Sequence, residues 1–172
     1  ERYLTPWHAT LTLDPRTYPD ACMAFGVYEL ETMRLIRRTL RPGDRFVDGG
    51  ANLGYFTTLA ARCVGPAGRV DAFEPEPANR ARLLHHLEQN GLDQIVRVHD
   101  AALADANGTA TIHRNERVNH GAASLFAAQN PTRADHPVGQ PDAVDADTAP
   151  TASTEVRTVR LDEAIDGPPR LM

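Results

Sequence analysis

Cysteine is scarce in this chain, and so are long apolar runs and any excess of positive charge. Only Cys22 and Cys63 occur in 172 residues. Two cysteines make neither a disulfide framework nor a metal-ligand spacing, and no metal is expected. Cys63 falls on an expected helix and reads as a small core residue rather than a reactive thiol. A reducing cytoplasm is the simplest setting. No apolar stretch approaches the roughly 20 residues that span a bilayer, so no membrane partner is expected. The opening segment Glu1–Pro6 has no apolar core, so no signal peptide is expected there. An initial Met is also missing, which suits a processed or excised chain. A formal net charge of −5 argues against a nucleic-acid backbone as the main partner. What is present is ordinary for a soluble globular protein: 41% hydrophobic and 24% charged residues. The length suits one domain with a sizeable core. No internal repeat is visible.

Hydrophobic spacing and turn residues outline the elements. Leu30, Met33, Ile36 and Leu40 recur at helical spacing over 28–40, and Pro42-Gly43 stops that helix. A strand is expected at 45–49. Leu53, Phe56, Leu59, Ala60 and Cys63 form one face of a helix over 53–64, ended by Gly65–Gly68. A second strand follows at 69–73. A helix over 76–90 starts with Pro77 and ends at Asn90-Gly91. A third strand is expected at 95–99. This alternation implies a parallel sheet with flanking helices. Later, Asn107-Gly108 precedes a strand signal at 109–113, and residues 155–161 alternate like a strand. Residues 1–27, broken by Pro6, Pro15 and Pro19, are expected as an arm near the mouth of the site, with 28–172 as the domain. Residues 128–154 have almost no large apolar side chain, so a mobile loop is expected there. His85 and His86, in mid-helix, are expected at the solvated surface.

The most informative stretch is Phe46-Val47-Asp48-Gly49-Gly50-Ala51-Asn52-Leu53-Gly54, followed by Val70-Asp71-Ala72-Phe73-Glu74-Pro75. A buried strand breaks into a glycine-rich turn and opens a helix; the next strand ends in an acid. Such a turn lets a ligand lie against bare backbone, and such an acid can accept hydrogen bonds from both hydroxyls of a ribose. Two nucleoside cofactors fit, a dinucleotide and S-adenosylmethionine. Glu74 lies 20 residues after Gly54, a spacing that suits both. The glycines separate them. The dinucleotide pattern G-x-G-x-x-G needs a middle glycine where the pyrophosphate approaches. Here that position is Ala51 in one register and Asn52 in the other. Asp48 would also repel a pyrophosphate, whereas it suits the cationic amino-acid end of S-adenosylmethionine. A structural strand-turn-helix without a ligand would leave two acids and three glycines without a role.

These residues, taken in order, resemble the FkbM-type family of S-adenosylmethionine-dependent methyltransferases. The resemblance runs through Tyr28-Glu29, Arg41–Asp44, Val47–Thr57, Gly65–Val70, Phe73–Pro75 and Asn90–Leu92. It continues through Ala101–Asp105, Gly108–Ala110 and Gly121–Leu125, covering roughly residues 26–127 and more weakly Val159–Asp162. It implies an α/β fold, a Rossmann-like class I methyltransferase sheet with flanking helices. It also implies methyl transfer to an oxygen acceptor, a hydroxyl on a small molecule, natural product or sugar. In the family, a strand ending in Asp-Val-Glu-Gly usually follows the Leu-Asp strand, and this chain stops at Arg170-Leu171-Met172, where that strand should begin. A chain truncated at its C-terminus is therefore expected, with Pro168–Met172 as a loop entering the missing strand beside strand one. Weak cofactor binding, no turnover and self-association through an unpaired edge would follow.

Methyl transfer is an in-line displacement, so the protein has to align the acceptor, exclude water and, for a hydroxyl, remove a proton. By position, Asp48, Gly50, Asn52 and Gly54 should meet the methionine part of S-adenosylmethionine and Glu74 its ribose. Asp100 and Ala101, at the end of strand three, lie where an adenine would be gripped, with a surface cap as the other reading of Asp100. The resemblance places Glu29 beside the cofactor. No general base stands out. His8 and His120 lie in loops that could reach the mouth, and His120 precedes the Gly121–Leu125 element that the resemblance sets near the substrate. His120 is thus the catalytic candidate. Two rivals remain: a catalytically inactive cofactor-binding or interaction module, and an NAD-dependent oxidoreductase disfavoured by Ala51 and Asn52.

Overall fold

A computed structural model describes residues 1–114, 123–124 and 152–172. Its centre is a parallel sheet of β3 (Arg45–Gly49), β4 (Arg69–Phe73) and β5 (Val96–His99), in that order. Phe46 pairs with Val70, and Val70 with Val96, so the strands run in step. Their even-numbered residues Phe46, Val70, Ala72 and Val96 face one core. Against that face pack α2 (Leu30–Thr39), α3 (Tyr55–Val64) and α4 (Pro77–Asn90). Each of these helices begins and ends within two residues of the span that its apolar spacing predicts. The odd-numbered Val47 and Phe73 join Ala101 in a second cluster, covered by Leu103, Val159, Leu161 and Ile165. Both faces of the sheet are thus closed, as near-continuous apolar parallel strands require.

Asp71 also projects from the odd-numbered face, and its side chain is fully buried. It accepts from Arg45 Nε at 2.8 Å, and His99 Nε2 lies 2.9 Å from its other oxygen. Arg69 approaches that same oxygen at 3.3 Å. Burial pushes the Asp71 carboxyl upward, but His99, Arg45 and Arg69 together hold it below its ordinary value.

Residues 1–27 are more than an arm. β1 (Arg2–Leu4) and β2 (Thr10–Thr12) form an antiparallel hairpin, followed by the short α1 (Asp20–Ala24). Trp7, Ala9, Leu11 and Leu13 are buried in the same core as α3 and α4. Trp7 Nε1 donates to Thr58 Oγ1 of α3 at 3.2 Å. His86 corrects a second expectation: only 1% exposed, it is not at the surface. Its Nε2 accepts the Thr12 amide at 2.9 Å, and its Nδ1 lies 2.7 Å from the Leu53 carbonyl. One imidazole thus ties hairpin, α4 and glycine turn together. His85 is exposed as expected.

The later strands make a separate sheet in the order β6-β9-β7-β8. β6 is Ala102–Leu103, β7 is Gly108–Arg114, β8 is Ala123–Ser124 and β9 is Ala152–Val159. β9 starts three residues before its expected span, because its antiparallel pairing with β7 runs from Thr158–Gly108 to Ala152–Arg114. Of the stretch expected as a mobile loop, 152–154 therefore lie in β9, and 128–151 fall outside the described residues. α5 (Leu161–Ala164) follows β9. Beside β3 lies the segment at Arg170–Leu171, with Leu171 bridged in parallel to Phe46. Arg170 donates its amide to the Arg45 carbonyl at 2.8 Å, and Val47 donates to the Leu171 carbonyl at 3.0 Å. No helix of the described residues is long and apolar enough to cross a membrane.

Candidate functional site

At the carboxyl ends of β3 and β4 the chain leaves a cleft of about 700 Å³. Its floor is the turn from Gly49 to Gly54. Three backbone amides of that turn are already engaged. Gly50 and Ala51 donate to the Phe73 carbonyl at 2.9 and 3.0 Å, and Asn52 donates to Glu74 Oε2 at 2.7 Å. Asn52 takes a left-handed conformation with φ 51°, which Asn tolerates better than most residues. Gly54, with φ 94°, has to be glycine, since a Cβ there would sit 2.5 Å from Leu83 Cδ1 of α4. The turn is therefore fastened to β4 below and to α4 behind, and presents bare backbone at Gly50, where an added Cβ would meet nothing within 4 Å.

Two carboxylates flank this floor. Asp48 ends β3 and lines the cleft. Thr57 Oγ1 of α3 donates to its Oδ2 at 2.5 Å. Burial raises the Asp48 carboxyl to about 6, against the opposing hydrogen bonds from the Thr57 hydroxyl and amide. Glu74 is only 4% exposed and also lines the cleft. Besides Asn52, it accepts from the Glu76 amide at 2.9 Å. Burial raises the Glu74 carboxyl, and the amides of Glu76 and Asn52 oppose that shift. Each carboxylate oxygen accepts one amide and keeps acceptor capacity for a ligand hydroxyl.

The opposite wall is aromatic. Tyr28, Tyr55 and Phe56 line it, and the Tyr28 and Phe56 rings stack with centroids 5.8 Å apart. Tyr55 stands edge-on to Tyr28 and to Trp7. Glu29 lies at this end, in a left-handed conformation at the start of α2, and accepts from Thr32 Oγ1 at 3.1 Å. Burial, with the Glu29 carboxylate beside it, holds the Tyr28 phenol well above its ordinary range. The family resemblance already set Tyr28 with Glu29 next to the cofactor, whereas Tyr55 and Phe56 were not expected as wall residues. The signal was available, since Tyr55 and Phe56 open the helix directly after the turn.

The structure therefore brings Glu29, Asp48, Gly50, Asn52 and Glu74 together around one cleft. Gly54 supports it from behind. Asp100 and Ala101 do not line it. Asp100 turns outward, its side chain 66% exposed, and pairs with Arg80 at 2.7 Å. Arg80 also bonds the Glu74 and Pro75 carbonyls, so the pair fastens the end of β5 to α4. Ala101 is fully buried with Val47 and Phe73 on the other face of the sheet, because the chain dives beneath β4 after His99. Pro75 and Asn79 line the cleft beside Glu74 instead. His120 falls outside the described residues. Among the described residues no group of three or more His, Cys, Asp or Glu could hold a metal ion.

A family model described as methyltransferase FkbM domain matches residues 48–168. A curated relative, ribosomal RNA large subunit methyltransferase E of Desulfatibacillum aliphaticivorans, is 31% identical over 101 residues. That match takes in 54% of this chain and 49% of the relative, so the chain spans about half the length of the curated relative it matches. A solved S-adenosylmethionine-dependent O-methyltransferase from Thermotoga maritima is 27% identical, with a TM-score of 0.40, over 43% of this chain and 28% of that one. A candidate rRNA methylase from Clostridium thermocellum is 25% identical, with a TM-score of 0.41, over 42% of this chain and 40% of that one.

Proposed function

The chain belongs to the methyltransferase FkbM domain family, and on that premise we propose that it binds S-adenosylmethionine in this cleft and methylates a hydroxyl of a small molecule. The observation that carries the reading is the engagement of the turn's amides. Gly50, Ala51 and Asn52 give their N–H groups to Phe73 and Glu74, so these three donors are not free to cradle a pyrophosphate. What the site offers instead is two carboxylates, Asp48 and Glu74, and open backbone at Gly50. That set suits a cationic, phosphate-free nucleoside and disfavours NAD.

In this reading Glu74 accepts from the ribose hydroxyls through the oxygen capacity left by its two amide partners. Asp48 and Glu29 face the positively charged amino-acid end, and Gly50 allows close approach. Pro75 and Asn79 flank the nucleoside. S-adenosylmethionine supplies an activated methyl on sulfur. The protein's part is to exclude water behind the aromatic wall, to hold the acceptor oxygen in line and to have a base take its proton. His120 is the candidate for that base on the strength of the family resemblance. A neutral small-molecule acceptor, rather than nucleic acid, fits the net charge of −5 and a cleft whose ionised described groups are carboxylates. The cytoplasm is the proposed setting.

Calorimetric titration with S-adenosylmethionine and with NAD tests the cofactor. Tighter binding of NAD would reverse the assignment. Methyl transfer to a panel of hydroxyl acceptors and to ribosomal RNA tests the acceptor, and transfer to RNA alone would overturn it.

A further inference from the structure

Thr57 stands out as a fully buried hydroxyl committed to one cleft carboxylate. It occupies the first turn of α3, is 0% exposed, and donates its Oγ1 proton to Asp48 Oδ2 at 2.5 Å. Its backbone amide bonds Asp48 as well. We propose that Thr57 is a positioning residue that keeps Asp48 ionised and aimed into the cleft, so that the cationic amino-acid end of the methyl donor meets a full negative charge. This rests on the assignment of the cleft to S-adenosylmethionine.

Two effects compete at Asp48. Leaving water disfavours the charged carboxylate, whereas hydrogen bonds donated to it favour that form. Thr57 supplies two such bonds from one residue, while Asp48 itself lines the cleft. The other ionisable groups that share the cleft are Tyr28 and Glu29 at the start of α2, Tyr55 on α3 and Glu74 at the end of β4. At Asp48 itself, burial raises the carboxyl and Thr57 opposes that rise. Loss of the Thr57 hydroxyl should thus move Asp48 without removing a second charge. A hydroxyl aimed at a carboxylate also fixes its plane, so the loss would cost aim as well as charge.

The test is the pH dependence of S-adenosylmethionine binding between pH 5 and 8, measured by calorimetry on the parent, Thr57→Val and Thr57→Ser. 5′-Methylthioadenosine, which has the nucleoside but no amino-acid end and no charge, serves as the second ligand. Parent affinity should rise with pH and level off above an inflection near 6, the value to which Asp48 is pushed. Thr57→Val should move that inflection upward by about one pH unit, a loss of about threefold at pH 6.5 that is recovered by pH 8. Thr57→Ser, which keeps the hydroxyl, should follow the parent. 5′-Methylthioadenosine should bind all three alike at every pH. An unshifted inflection in Thr57→Val overturns the role of Thr57, and so does equal weakening of both ligands, which would mark general damage to the cleft. A flat parent curve overturns the assignment of Asp48 itself, and with it this inference.

Discussion

The amide of Asn52 donates to the carboxylate of Glu74 across 2.7 Å, joining the glycine turn to the end of the neighbouring strand. The two segments are 22 residues apart in sequence, and the acid that reads as a ribose contact is also what shapes the floor. Glu74→Ala should therefore do two things. Losing two charge-assisted bonds to a ribose should weaken donor binding on the order of 30- to 150-fold, for about 2–3 kcal/mol. Removing the acceptor that the Asn52 and Glu76 amides share should in addition lower stability by about 3 kcal/mol. Glu74→Gln, which keeps one carbonyl oxygen, should lose less of both. Calorimetry with urea melts checks this. Full stability in Glu74→Ala would mean that the turn holds itself.

His86 predicts a pH effect with a definite sign. Burial is the leading cause that lowers its proton affinity, so the folded protein keeps it neutral. The unfolded chain takes up a proton at about the ordinary value of 6.5. The contribution of His86 is thus complete above that pH and erodes as pH falls below it. Asp48, whose carboxyl is raised to about 6, acts in the opposite sense between roughly pH 4 and 6, so the measurement has to be a difference. The unfolding free energy of the parent minus that of His86→Asn should shrink on going from pH 7.5 to 5.5. A difference that stays constant would show that this imidazole is not held neutral.

Asp71 should be the costliest single charge to remove. Its carboxylate is fully buried, and the Arg45 side chain beside it is only 14% exposed. Asp71→Asn leaves that guanidinium buried without its counter-charge, and a loss of about 3–5 kcal/mol is expected. The carboxyl is held below its ordinary value of 3.8. Its stabilisation is therefore present above that pH and is lost as pH falls through the lowered value. Chemical denaturation at pH 7 and pH 3 measures both statements, and a loss under about 1 kcal/mol at pH 7 would contradict the first.

Tyr55 carries a buried hydroxyl without a hydrogen-bond partner among the described residues, inside an aromatic cluster. An unsatisfied buried hydroxyl costs stability, so Tyr55→Phe should be neutral or up to about 1 kcal/mol more stable. The edge-on ring contacts would persist. A thermal melt decides it, since a lower Tm would require a partner for that oxygen.

The strand-turn-helix and the acid twenty residues later were legible because they depend on local chemistry: hydrophobic period, glycine where the backbone turns left-handed, and a polar residue where a strand stops. β3 and β4 match their expected spans to the residue, and four site positions expected from the motif border one cleft together with Glu29, which the resemblance supplied. What the linear chain could not decide were pairings between distant segments. His86 reads as a surface residue on a helix until Thr12 and Leu53 close over it. Residues 1–27 read as an arm until Trp7 and Leu11 reach the core of α3 and α4. Asp100 and Ala101 read as cofactor contacts because they end a strand, yet Arg80 draws one outward and the turn after His99 carries the other under the sheet. Sequence alone thus determined the local conformations and the family. Only the tertiary structure decided which polar groups are satisfied by the protein itself and which are left facing the cleft, because desolvation and hydrogen-bond partners are properties of the packed chain.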